Sequence, residues 1–136
     1  MRLWLLHPAV VHFPLALLLT GPVFGLASWR RPGGWQERAA SWLLWLGSVF
    51  AWLAMGLGLL AQKTARHVPE AWEALADHKS AAFWSVGVFS ILSLWRAWGK
   101  WPRVQLVAWI LALGLLLYTA YLGGEVVFTF GMGVTS

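Results

Sequence analysis

Residues 39–62 read AASWLLWLGSVFAWLAMGLGLLAQ, 24 positions with no charged side chain. A bilayer-crossing helix needs roughly 17–25 apolar residues, so this stretch is long enough to cross unaided. Three more charge-free runs surround it: 3–29 with 27 residues, 80–95 with 16 and 104–124 with 21. Together the four hold 88 of the 136 residues, while charged residues make up 11% of the chain and the mean hydropathy is +0.66. A soluble globular domain carries about 25% charged residues. A soluble enzyme and a disordered tail are therefore excluded, as is a nucleic-acid-binding domain despite a pI near 10.5. What remains is a single all-α domain, an integral membrane bundle of four transmembrane helices.

The spans are expected at 8–29, 39–61, 80–98 and 104–123. Pro8 suits a first helical position, where its missing N–H costs nothing, whereas Pro14 and Pro22 should kink or loosen span 1. The N-terminal run is preceded by one basic residue, as in a secretory signal. It has no convincing small-residue cleavage site before Trp29-Arg30-Arg31 and carries two histidines and two prolines, so it reads as a retained span. Gly123-Gly124 is expected to end span 4, leaving an apolar, Gly-rich tail at 125–136 that folds back on the bundle. Between spans 2 and 3, Pro69-Glu70-Ala71-Trp72-Glu73 has the Pro and acids of a helix start, predicting a short interfacial helix at 69–78. No internal repeat stands out.

Loop charge sets the orientation. The loops after spans 1 and 3 carry Arg30, Arg31, Arg38, Arg96, Lys100 and Arg103 against the single acid Glu37, and charges elsewhere cancel. The net charge of +5 thus belongs to one side. An excess of Lys and Arg marks the cytoplasmic side, so both termini and the 62–79 loop are expected on the outer, periplasmic side. The 12 tryptophans fit the same picture. Trp4, Trp29, Trp35, Trp42, Trp72, Trp98 and Trp101 fall near predicted interfaces, while Trp45, Trp52, Trp84 and Trp109 lie deeper, and their N–H groups need partners or lipid-edge positions. Gly47 with Ala51, and Ala54 with Gly58, are spaced as helix-packing pairs.

With no cysteine in the chain, disulfides, thiolate nucleophiles, iron–sulfur ligation and covalent haem attachment are ruled out for it. All four histidines, His7, His12, His67 and His78, fall at the outer end. His12 lies about four residues into span 1, roughly 6 Å along the helix, where an ionisable side chain points to function. His78 heads span 3, which runs in the same direction as span 1. His12 and His78 therefore enter from one side at similar depth, and two imidazoles on facing helices are what an iron porphyrin takes in a membrane bundle. The plainer alternative has His7 capping span 1 and His12 bonding a carbonyl freed by Pro14. His67, beside Arg66 in a polar loop, reads as a solvated residue or helix-entry cap. Glu125 gives another option: with His7, His12 and His78 it would make an N/O site for zinc, copper or non-haem iron, or else it bonds Tyr121, Lys63 or Lys79.

Two stretches add a resemblance. HPAVVHFPLAL at 7–17 resembles the opening motif of the bacterial membrane family called domain of unknown function 2231. YLGGEVVF at 121–128, running on to GMGV at 131–134, is similar to its closing motif, and Asp77-His78-Lys79 stands where the family has a histidine before its third span. The likeness covers nearly the whole chain. It implies a multi-pass protein of the bacterial inner membrane, of a kind joined elsewhere to cytochrome c or Rieske-type modules and similar to diheme-type membrane cytochromes. It makes His7, His12 and His78 ligand candidates. Where the family often has an aromatic-x-His-Gly tail, this chain has Phe128-Thr129-Phe130-Gly131, which implies one haem rather than two.

The leading expectation is a b-type cytochrome-like protein. In it His12 and His78 hold haem b, His7 serves as their partner or as an alternative ligand, and electrons pass at the outer face to quinone, cytochrome c or a Rieske-type protein. This describes an electron carrier more than a stand-alone catalyst. Beside it stand an outer-face metal site or metalloenzyme using His7, His12, His78 and Glu125, and a cofactor-free assembly subunit of a larger membrane complex. The lipid bilayer is a partner in every case. Self-association is left open by the sequence.

Overall fold

The computed structural model describes residues 3–66, 68–100 and 102–133. Arg2, His67, Trp101 and the end of the tail lie outside the described residues. Five helices follow one another: α1 (Leu6–Val10), α2 (His12–Ala27), α3 (Trp35–Thr64), α4 (Trp72–Trp98) and α5 (Pro102–Phe128), with single 3-10 turns at Leu3–Leu5 and Pro69–Ala71. No strand occurs among the described residues. The α1–α2 pair and its neighbours α3, α4 and α5 supply four helical spans long and apolar enough to cross a membrane. Two antiparallel hairpins carry most of the packing, α2 on α3 and α4 on α5, and the contacts α3–α4 and α2–α5 join them.

The prolines act through the carbonyls they leave without a helical donor. Pro14 has no N–H for Val10, and the helix is interrupted at Val11 alone, between α1 ending at Val10 and α2 starting at His12. Val11 keeps helical backbone angles, so the path continues. Pro22 leaves the Leu18 carbonyl free in the same way, yet α2 runs straight through it. The indole N–H of Trp109, on α5, donates to that Leu18 oxygen at 3.1 Å. The ring reaches it over Gly21, where a Cβ would stand 2.1 Å from the indole. Trp109 and Leu18 are both fully buried and form the core with Leu44, Phe89, Leu92 and Leu106. The same fit recurs on either side, since a Cβ on Gly25 would strike Leu106 and one on Gly47 would strike Leu18.

Two expected breaks are absent. The segment expected as an interfacial helix and the third span form one helix from Trp72 to Trp98. Its charged first turns continue the helical path of the apolar part, because nothing between Trp72 and Ser80 interrupts the backbone ladder. Gly123-Gly124 does not end span 4 either; α5 continues to Phe128. Glycine lowers helix propensity by only about 1 kcal/mol, which flanking apolar packing offsets. The chain turns at Gly131 instead, which adopts a φ of +64°. There the Gly131 N–H donates to Val127 and the Met132 N–H to Val126.

Polar side chains inside the bundle are spent on one another. Trp45 donates its indole N–H to the Ser93 carbonyl and Trp52 to the Ser90 hydroxyl, while Ser48 bonds Ser93. Trp84 stays 69% exposed, the lipid-edge placement that was the alternative for a deep indole. At the loop end Arg96 ties three helices together, donating to the Ser41 hydroxyl and the Glu37 carbonyl on α3 and to the Gln105 side chain on α5. Gln105 is 1% exposed and also donates to the Leu92 carbonyl.

Substituting Gly21→Val should destabilise the bundle by about 1–3 kcal/mol through overpacking against Trp109. Gly114→Ala, where nothing lies within 4 Å of the added Cβ, should cost nothing and stabilise the helix by up to about 1 kcal/mol. Reversible unfolding of both variants in the same detergent micelle measures the difference.

Candidate functional site

Two histidines meet at the end of the bundle opposite Arg96. The His7 ring, on α1, and the His78 ring, on α4, lie 6.4 Å apart between centroids at an interplanar angle of 68°. Each is anchored in the same manner. The His7 Nδ1 lies 2.8 Å from the Ala54 carbonyl oxygen of α3, and the His78 Nδ1 lies 3.0 Å from the Thr119 carbonyl oxygen of α5. A carbonyl only accepts, so Nδ1 is the donor in both. In a neutral imidazole that leaves Nε2 with the free lone pair.

A glycine lies under each ring, four residues beyond the accepting carbonyl. A Cβ on Gly58 would stand 3.0 Å from the His7 Cε1, and one on Gly123 would stand 2.9 Å from the His78 Cε1. The spacing has a physical reason. In a helix the N–H of residue i+4 already donates to the carbonyl of residue i, so a side-chain donor seeking the second lone pair must approach beside residue i+4. Glycine there clears the way. Nε2 lies 3.6 Å from that Cβ position for His7 and 3.5 Å for His78, so each ring rests on its glycine by the edge that carries Nδ1, Cε1 and Nε2.

The two anchors form a structural repeat. His7 with Ala54 and Gly58 in the first hairpin matches His78 with Thr119 and Gly123 in the second. The sequence carried a trace of it in the shared four-residue spacing Ala54 to Gly58 and Thr119 to Gly123. Of these, Ala54 with Gly58 reads from sequence only as a packing pair, and Gly123 as a helix breaker. The second anchor is also braced from below, since the Thr119 hydroxyl bonds Ser85 at 2.8 Å.

His12 does not join the pair. Five residues on a helix turn about 140° net, so with His7 facing α3, His12 faces outward and is exposed. It makes no hydrogen bond to a carbonyl freed by Pro14. Glu125 is half-buried in the last turn of α5, and Lys79 donates to the Gln62 side chain rather than to it. Among the described residues no three His, Asp or Glu side chains converge to hold a metal ion. The set His7, His12, His78 and Glu125 is therefore not assembled as a four-ligand site, and the two-histidine pair is what the fold brings together.

The family model described as predicted membrane protein (DUF2231) matches residues 5–136. The chain belongs to that family. No curated protein and no solved structure matches it. In this DUF2231 chain the opening motif at 7–17 delivers His7 to α3, and Pro14 of the same motif interrupts the helix just after it. The closing motif at 121–128 provides, in Gly123, the seat for His78. The two stretches that carry the family likeness thus meet through one pair of rings.

Ring-nitrogen NMR of the histidine-labelled protein should show His7 and His78 with Nδ1 protonated and Nε2 unprotonated at a pH where both are neutral. Gly123→Val should remove that signature from His78 and leave it on His7, because the added methyls occupy the seat of only one ring.

Proposed function

We propose that His7 and His78 would hold the iron of a haem and that the protein carries electrons at one face of the membrane. The observation that supports this is the matched anchoring: two imidazoles from different hairpins, each with Nδ1 committed to a carbonyl and Nε2 left as the base. Two side-chain nitrogens are what a porphyrin-held iron needs, since the macrocycle fills the remaining positions. Zinc in a structural or catalytic site takes three or four protein ligands, and the described residues do not gather them.

The geometry suits one metal atom between two rings. His7 and His78 would hold the iron between them, since ring centroids 6.4 Å apart lie within the reach of two metal–nitrogen bonds of about 2 Å each. Haem, when bound, supplies a one-electron couple whose potential depends on its axial ligands. The chain's own contribution is to orient and tune them. The Ala54 and Thr119 carbonyls fix both tautomers and raise the basicity of Nε2, while Gly58 and Gly123 keep those carbonyls within reach. One anchored pair corresponds to one haem. The leading ligands are His7 and His78, and His12 takes no part.

Loop charge supports an outer-face position for this end in a bacterial inner membrane, since Arg-rich loops like those at the opposite end mark the cytoplasmic side. A quinone, a cytochrome c or a Rieske-type protein would exchange electrons there.

An oxidised-minus-reduced visible spectrum of the purified protein, produced with ample haem, should show sharp Soret and α bands. His7→Ala and His78→Ala should each abolish them, while His12→Ala and His67→Ala keep more than about half the pigment. A featureless wild-type spectrum overturns the haem reading and leaves the assembly-subunit reading in its place. Pigment lost with His12→Ala but kept with His7→Ala overturns the ligand assignment alone.

A further inference from the structure

The opposite end of the bundle holds a feature that orientation does not explain. A cleft of about 330 Å³ opens among α3, α4 and α5, and Arg38, Arg96 and Lys100 line it beside Gly33, Gly34 and Gln105. The acid in its wall, Glu37, accepts the Gly33 N–H at the head of its own helix and offsets part of the Arg96 charge, so the cleft keeps a net charge of two positives from its three cations. Arg38 and Lys100 have no carboxylate partner among the described residues, and the Lys100 ammonium lies 4.9 Å from the centre of the Trp98 ring. Arg96 spends three of its five N–H groups on Ser41, Gln105 and the Glu37 carbonyl, leaving two. The α3 helix also begins here, and its N-cap residue, Gly34, has no side chain to cap it. Its free N–H groups and the positive end of its dipole add to the field of the three cations.

On the other side of Arg96 lies a second cleft of about 360 Å³, sharing Glu37, Arg96 and Pro102 with the first. Most of its wall is apolar, running along α2 and α5 past Gly25, Val104 and Leu106. Its further cation, Arg103, donates to the Trp29 carbonyl and lies over the Trp29 ring. A cationic cleft and an apolar groove thus adjoin at one arginine. A free phosphate would use only the first. A phosphate ester attached to hydrocarbon uses both.

We propose that this double cleft binds an anionic phospholipid, with the phosphate between Arg38, Arg96 and Lys100 and an acyl chain along Val104 and Leu106. Basic pockets between membrane helices on the cytoplasmic side bind lipid headgroups by the same physics. Arg38 and Lys100 would supply attraction, and Arg96, already fixed by three bonds, would supply direction.

The test is native mass spectrometry of the purified protein titrated with phosphatidylglycerol or phosphatidylcholine, with thermal melting in inorganic phosphate as a separate arm. The wild type should retain one phosphatidylglycerol per chain, at least about 10-fold in preference to phosphatidylcholine. The double variant Arg38→Gln with Lys100→Gln should weaken that retention about 30-fold. It should leave helicity and lipid-free melting unchanged, since neither side chain bonds to another helix. Equal retention of the two lipids, or undiminished retention by the double variant, overturns the proposal. Stabilisation by inorganic phosphate equal to that by phosphatidylglycerol, and lost in the double variant, overturns the lipid in favour of a free anion. None of these outcomes depends on haem.

Discussion

In a bundle without water around its helices, a backbone carbonyl that loses its helical donor must find another or cost several kcal/mol. Pro22 creates such a carbonyl at Leu18, and Trp109 answers it from the far hairpin. Much of the arrangement follows from that one bond. It requires α5 to lie directly on α2, which it can do only where Gly21 offers no side chain. It also buries the largest side chain of the core at the crossing of the two hairpins. With α2 and α5 joined there and α3 and α4 joined through Ser48 and Ser93, the two hairpins close on each other, and the ends of the bundle come into register.

The histidine end uses the second lone pair of carbonyls whose first is already taken by the helix. His7 and His78 each find such an oxygen beside a glycine. The result is two rings held by backbone rather than by other side chains, so their positions follow the helices themselves. The arginine end is built the other way. Arg96 reaches across three helices with its own charge and is satisfied by Ser41, Gln105 and the Glu37 carbonyl. One end presents imidazoles held by backbone, the other cations held by polar side chains, and the core between them is apolar. This polarity suits a protein whose two faces meet different surroundings.

The four helices were legible because their signal is additive. Hydropathy and the absence of charge accumulate over about 20 residues, and no single neighbour can cancel them. Local punctuation was less reliable. Gly123-Gly124 looked like a stop and Asp77-His78-Lys79 like a loop edge, yet both lie inside helices. In each case the packing of the surrounding helix outweighed a propensity difference of about 1 kcal/mol. Pro14 and Pro22 are the same residue type and had opposite effects, because only the carbonyl freed by Pro22 has an indole within reach.

The sequence by itself determined the class, the number of spans, the clustering of histidines away from the arginine-rich loops, and a short roster of ligand candidates. Tertiary structure decided which of those candidates meet. His7 faces α3 and His12 faces out because a five-residue step turns the helix by about 140°, and the face that points inward is set by the partner helix. Gly58 and Gly123 became part of the site for a reason that no single helix contains. A glycine is a gap in its own helix, and it becomes a seat only when a ring from another arrives to fill it.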